Sequence, residues 1–229
     1  LATKLYADGG GAGSHELMGL ESMFHTDGTV VKWIALNDDT YAGHSTALGG
    51  MGGDWTGTYP EGTGENVYGA WTPLVIDYTS HHFSGDTRNW AHNWQEAVGV
   101  GVSYLGRNQQ VKPNLFLLNT ELKRLARFGV TANDRFLVTG KAGDRDVAAG
   151  NLFYDGLELV DEYACPDGVG YLLRWEDMTL HSLQSQLVGF EQDKALRTSE
   201  SLYAADFYGQ FRHRCPGFAA KLIAVGVGT

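Results

Sequence analysis

Tyr203-Ala204-Ala205-Asp206-Phe207-Tyr208-Gly209-Gln210-Phe211-Arg212-His213-Arg214-Cys215 is the most regular stretch of the chain. Tyr203, Ala205, Phe207, Gly209, Phe211, His213 and Cys215 alternate there with Ala204, Asp206, Tyr208, Gln210, Arg212 and Arg214. A period of two spells a β-strand, and at roughly 3.3 Å per residue this one would reach about 40 Å, well past the usual five or six residues. Such a strand outgrows a compact globule. A second apolar strand is expected over residues 218–225.

Upstream, residues 157–160, 170–175 and 178–183 read as strands, separated by turn chemistry at Pro166-Asp167-Gly168 and Glu176-Asp177. Residues 113–118 read as a buried strand, after which Asn119 or Thr120 caps a helix with Leu122, Leu125 and Phe128 inside and Gly129 as its stop. Glu121 near its start, with Lys123, Arg124 and Arg127 further on, suits the helix dipole. A longer helix is expected over 86–105, capped by Asp86 or Ser84, with Trp90, Trp94, Ala97, Val98, Gly101 and Leu105 on one face. Gly99 and Gly101 in its interior cost up to about 1 kcal/mol each against alanine, which points to close packing or an earlier end.

The remaining segments are less patterned. Leu1 and Leu5 lie one helical step apart, and the glycine run 8–14 ends that turn; the chain opens as if mid-helix and reads as processed or partial. A short helix or turn covers 17–24. Residues 26–80 mix glycine, Asp/Asn and aromatics and read as loops with short strands such as 30–36. Residues 131–151 read as an exposed polar loop around the apolar run 136–138.

Over its 229 residues the chain holds 31 glycines and only 5 prolines, so many turns are expected, and the missing G-X-Y period excludes collagen. The net charge is −10, and no clustered basic surface suited to free nucleic acid appears. Residues 196–229 carry a net +2 (Arg197, Arg212, Arg214 and Lys221 against Glu200 and Asp206), leaving −12 upstream, so complementary patches between copies are conceivable beside the plainer reading of a solvated basic face. Cys165 and Cys215, each before a proline, read as free thiols of a reducing compartment, with a single bridge left open. No membrane span and no signal segment are present in the sequence.

Enzyme motifs fail in turn. His15-Glu16-Leu17-Met18-Gly19 lacks the second histidine of a zinc-protease helix, and His81 and His82, being adjacent, point apart on either a helix or a strand. Neither a dinucleotide loop, a P-loop nor a G-x-S-x-G elbow occurs, and no cofactor or metal is expected. Asp38-Asp39 or Asp161-Glu162 would serve as acid/base pairs only with suitable geometry. Trp33, Trp55, Trp71, Trp90 and Trp94 suit either a sugar-binding face or, more simply, core burial.

The order of several short motifs resembles the major capsid proteins of tailed bacteriophages, the Hong Kong 97-type shell fold. They are Leu5-Tyr6-Ala7-Asp8-Gly9 with Gly19-Leu20, then Pro113-Asn114-Leu115-Phe116-Leu117-Leu118 before a helix. Gly156-Leu157-Glu158-Leu159-Val160, Cys165-Pro166-Asp167-Gly168, Tyr171-Leu172-Leu173 and the final strand pair continue the order. Residues 26–80 depart from it. The resemblance implies an α+β fold with axial and peripheral domains, the family's N-terminal arm and E-loop lying outside this chain. Residues 1–20 would end the spine-helix region of the peripheral domain, 21–195 would form the axial domain, and 196–229 would return to the peripheral domain.

The same resemblance implies a structural, non-enzymatic protein that self-assembles into pentamers and hexamers of an icosahedral shell. Its location would be the virion capsid, built in the bacterial host cytoplasm. Its partners would be copies of itself and portal, scaffold or decoration proteins, enclosing double-stranded DNA without sequence-specific binding and without a membrane. Candidate subunit-interface residues are Arg135, Lys141, Asp144, Arg145 and Asp146 near the capsomer axis, with Arg197, Arg212 and Arg214 facing acidic surface on neighbours. Two other readings stay open: an encapsulin-like nanocompartment shell, and a secreted carbohydrate-binding or glycoside-cleaving β-rich domain.

Overall fold

The computed structural model describes residues 6–7, 19–37, 40–41, 44–45, 72–84, 88–105, 112–133, 152–182, 189–194, 201–206 and 209–225. A 3₁₀ turn (Leu20–Met23) leads into β1 (Thr26–Val31), β2 (Ile34–Asn37), the short β3 (Thr40–Tyr41) and β4 (His44–Ser45), and β5 (Leu74–Asp77). Helix α1 (Trp90–Leu105), β6 (Leu115–Leu118) and helix α2 (Thr120–Asn133) follow. Then come β7 (Leu152–Tyr154), β8 (Leu157–Asp161), β9 (Gly170–Leu173), β10 (Met178–Ser182), β11 (Gly189–Lys194), β12 (Ser201–Asp206), β13 (Gly209–His213) and β14 (Ala220–Ile223).

Eight strands make one mixed sheet in the order β1-β2-β5-β14-β9-β6-β8-β7. Strand β14 lies parallel to β5 and antiparallel to β9, and β6 runs parallel to β8. Because successive side chains on a strand face opposite ways, each central strand feeds two cores. Leu74, Ile76, Phe116, Leu118, Leu172 and Leu222 meet the two helices on one face. Val75, Tyr171, Leu173 and Ala219 meet Tyr6, Leu20, Met23, Phe24, Tyr41 and Cys165 on the other. The boundary expected between residues 195 and 196 lies outside the described residues, and β14, from the segment that follows it, sits in the middle of this sheet.

The apolar stripe of α1 is buried as its spacing requires: Trp90, Trp94, Ala97, Val98, Gly101 and Leu105 all face the sheet or α2. The helix starts later than expected, because Asn89 is its cap: the His92 N–H donates to Asn89 Oδ1 at 3.2 Å. Asp86 lies outside the described residues, and Ser84 is committed elsewhere, its hydroxyl donating to Glu96 Oε2 at 2.5 Å. Trp90 ties the helices together by donating its indole N–H to the Leu122 carbonyl at 2.8 Å. Of the two glycines, only Gly101 is tightly packed. A Cβ there would lie 2.5 Å from Leu172 Cδ1 and 3.2 Å from Ile76 Cδ1, whereas Gly99 faces open space. Gly101→Val is therefore expected to cost about 1–3 kcal/mol through overpacking, read as a lowered denaturant midpoint, while Gly99→Ala is neutral or stabilising.

Helix α2 is capped by Asn119, whose Oδ1 accepts the Glu121 N–H at 2.8 Å. Gly129 does not stop it: the helix continues to Asn133, and Gly129 is not among the residues with positive φ. A stop needs the left-handed conformation, and a glycine that stays helical costs only about 1 kcal/mol. Phe128's side chain and residues 134–151 lie outside the described residues, as do 1–5. The strand expected over 30–36 is a hairpin instead, turning at Lys32-Trp33 with Lys32 at φ 62°. A lysine in the left-handed region carries no turn signature, which is why the sequence reads straight through it. Of the long alternating stretch, residues 203–206 lie in β12 and 209–213 in β13, with 207–208 outside the described residues.

Candidate assembly surface

The described residues of 203–213 pair in two antiparallel ladders, and the β10–β13 ladder is a two-stranded ribbon with no hydrogen-bonded strand partner in the main sheet. β10 pairs with β13 from Met178↔His213 to Ser182↔Gly209, and β11 pairs with β12 from Gly189↔Asp206 to Lys194↔Ser201. The residues between the two ladders, 183–188 and 207–208, lie outside the described residues. Opposed residues share a face. Met178, Leu180, Phe211 and His213 form one face of the first ladder; Thr179, His181, Gln210 and Arg212 form the other. Met178 and Phe211 lean on the lower core, while Leu180 is 41% exposed.

The base of the ribbon is pinned. The His213 N–H donates to Tyr41 Oη at 2.8 Å, and the Arg214 N–H donates to the Asp177 carbonyl at 2.8 Å. Burial raises the Tyr41 hydroxyl above its ordinary value. The buried imidazole of His213 is pushed down to about 4, chiefly by loss of water, with a contact to the Cys215 backbone working the other way. Cys165 and Cys215 are both free thiols. Burial raises the Cys215 thiol, with Asp177 adding to the effect and Arg214 and Arg174 opposing it. Burial likewise pushes the Cys165 thiol up to about 12, an inert state.

Two aromatic side chains stand in solvent on fixed backbone. Trp175, 68% exposed, donates its N–H to Asn114 Oδ1 at 2.9 Å, and Asn114 in turn holds the Glu176 carboxylate at 2.9 Å. Tyr163, 95% exposed, rides on the 162–169 turn, which Asn119 Nδ2 clamps through the Cys165 carbonyl and Asp167 Oδ1, each at 3.0 Å. The two lie beyond opposite ends of β6: the Asn114 N–H donates to the Leu173 carbonyl at one end, and the Glu162 N–H to the Leu118 carbonyl at the other. Leu115, Leu117 and Val160, on the sheet face away from the helices, are only half-buried. Single exposed apolar groups are ordinary.

Of the eight expected interface residues, Arg135, Lys141, Asp144, Arg145, Asp146 and Arg197 lie outside the described residues. Arg212 and Arg214 are both exposed at the ribbon. Nearby, the Arg174 guanidinium lies 3.5 Å from Glu176 and 3.7 Å from Asp177.

The acid/base reading loses its described pair. Asp161 is tied to Lys123 at 2.6 Å, and this hydrogen bond holds its carboxyl below the usual range, while Asp38-Asp39 lies outside the described residues. Trp90 and Trp94 belong to the core rather than to a sugar-binding face. His81 and His82 do not point apart: they sit in a turn rather than a helix or strand, with ring centroids 4.0 Å apart. Among the described residues no cluster of three His, Cys, Asp or Glu could hold a metal, and no helix is long and apolar enough to cross a membrane.

The mixed eight-stranded sheet with two helices on one face is a capsid-type fold. Among solved structures the chain is similar to the cyanophage A-1(L) capsid asymmetric unit, with 14% identity and a TM-score of 0.53 over 97% of this chain and 64% of that one. It is also similar to the holo-SrpI encapsulin complex from Synechococcus elongatus PCC 7942, with 13% identity and a TM-score of 0.41 over 61% of this chain and 51% of that one. The chain thus spans about half to two thirds of the length of these structures. No protein-family model and no curated protein matches it.

Proposed function

We propose that this chain is a shell subunit, a major capsid protein of the tailed-phage type whose copies form pentamers and hexamers around double-stranded DNA in the virion. The capsid-type fold supports this reading, and the observation that carries it is the ribbon. Two-stranded ladders outside a larger sheet are marginal in water, and Leu180, 41% exposed on one of them, would be covered by a neighbouring copy. In this reading the role is structural rather than catalytic. Each contact is modest, and repetition by symmetry makes the shell stable.

The full-length gene product is expected to sediment as megadalton particles; a monomer at every concentration would end the proposal. Arg212→Ala with Arg214→Ala is expected to leave the circular dichroism and melting of the subunit unchanged, since both side chains are exposed. Particle yield should fall, because an exposed ion pair worth about 0.2–1 kcal/mol is lost at every repeated contact. Particles carrying a protein cargo in place of DNA would reassign the shell to the encapsulin-like alternative.

A further inference from the structure

Strand β5 ends at Asp77, and the chain then turns through residues 78–84 against the Lys32 turn of the β1–β2 hairpin and ahead of Arg88, the residue before the Asn89 cap. This turn borders an open, surface-facing cavity of about 270 Å³ whose lining includes Lys32 and the exposed His81, His82 and Arg88. Four basic side chains around one hollow run against the trend of a chain with net charge −10. Ser80 sets the arrangement: its hydroxyl donates to the Lys32 carbonyl and accepts the His82 N–H at 3.3 Å, and the two imidazoles stand 4.0 Å apart. Partial desolvation, then the neighbouring His81 and Lys32, lower His82 from its ordinary value.

One acid, Asp77, also lines the hollow, but its Oδ1 accepts the Thr79 N–H at 2.9 Å, the Thr79 hydroxyl at 2.5 Å and the Val225 N–H at 3.3 Å. Its charge is therefore directed at backbone and hydroxyl donors that also hold the wall in place. The volume is below the roughly 300–1,000 Å³ of drug-sized sites, which suits a small ion or the charged end of a larger molecule.

We propose that this cavity is an oxyanion site for a phosphate group, with Arg88 and Lys32 supplying charge and the His81 and His82 rings supplying N–H donors. Arg88 presents a planar fork matched to phosphate oxygens, and it makes no ion pair among the described residues. The site is independent of the shell proposal, since every residue used belongs to one chain.

Calorimetric titration of the full chain with inorganic phosphate tests it, with adenosine monophosphate as a second probe. Saturable binding is expected, weakened at least about tenfold by Arg88→Gln and again by Lys32→Asn. Asparagine tolerates the positive φ at position 32, so the hairpin turn survives, and Arg88→Gln alone decides the matter should the second variant fail to fold. Binding of both probes assigns the site to a phosphate end; binding of inorganic phosphate alone assigns it to the free ion. No saturable uptake at about 10 mM phosphate, or equal uptake by wild type and Arg88→Gln, overturns the proposal.

Discussion

Lys221→Met is expected to destabilise the subunit by about 2–3 kcal/mol, read as a lower urea midpoint at unchanged slope. Lys221 lies on the central strand β14, only 8% exposed, and its ammonium donates to Glu21 Oε2 while the Tyr171 hydroxyl donates to Glu21 Oε1. This three-group knot fastens the 3₁₀ turn to the sheet, with the rings of Tyr6 and Phe24 each 5.8 Å from that of Tyr171. Burial and the neighbouring Glu21 carboxylate hold the Tyr171 phenol far above its ordinary value, so it remains a donor at any workable pH. Removing the lysine leaves a carboxylate that has lost its counter-charge in a site with little water, which costs more than the intact pair contributes. Breaking a fully buried pair costs about 3–5 kcal/mol; the figure here is lower because the Glu21 side chain keeps 22% of its exposure. The double variant Lys221→Met/Glu21→Leu should recover most of the loss, and a double variant no better than the single one would show that the pair is not the cause.

The second large effect is a dependence on acid. The unfolded chain binds a proton on the His213 imidazole near 6.5, whereas the folded chain does so only near 4. Between those values the unfolded state holds more protons, so stability rises with pH: the contribution is complete above about 6.5 and is lost as pH falls toward 4. The gap corresponds to about 3 kcal/mol. Urea unfolding of wild type and His213→Leu at pH 7.5 and 4.5 isolates it, because the carboxylates held below their ordinary values, Asp161, Glu121 and Glu176, are common to both proteins. The wild type should lose markedly more stability than the variant; parallel losses would remove His213 as the sensor. Since His213 anchors the ribbon through Tyr41, the loosening is expected to appear first as faster amide exchange in β10 and β13.

Much of the sheet-and-helix frame is legible because local chemistry and tertiary demand agree there. Asn119 caps α2 where a cap belongs, the stripe of α1 is the buried stripe, and Pro166-Asp167-Gly168 turns with Gly168 at φ 71°. Strand β7 was also within reach: Asp155-Gly156, both at positive φ between Tyr154 and Leu157, is a strong hairpin signal. The Lys32 turn and the helical Gly129 were not legible, since in each the surrounding structure overrides the residue's own preference. Alternation over 203–215 reveals strand but not partner, so the pairing with β10 and β11 does not show in it. On the candidate surface, Arg212 and Arg214 could be picked out by charge alone. The exposure of Tyr163 and Trp175 could not, because it depends on which elements lie beside them. Lys221 reads as a stray cation in an apolar strand, its partner being 200 positions away.

Strand β14 has a consequence for the order of events during synthesis. Among the described residues, the half-sheets β1-β2-β5 and β9-β6-β8-β7 are joined only through it. A nascent chain that has emerged as far as β9 holds two unfinished ribbons, each with a raw hydrogen-bonding edge at β5 or β9. Closing the gap requires a parallel pairing between residues 74 and 220, a contact of very high sequence separation and therefore a slow one. Until that keystone slides in, both edges are open to pairing with other nascent chains on the same message. Completion of this layer therefore waits on β14, and a chaperone that shields strand edges would act in that interval.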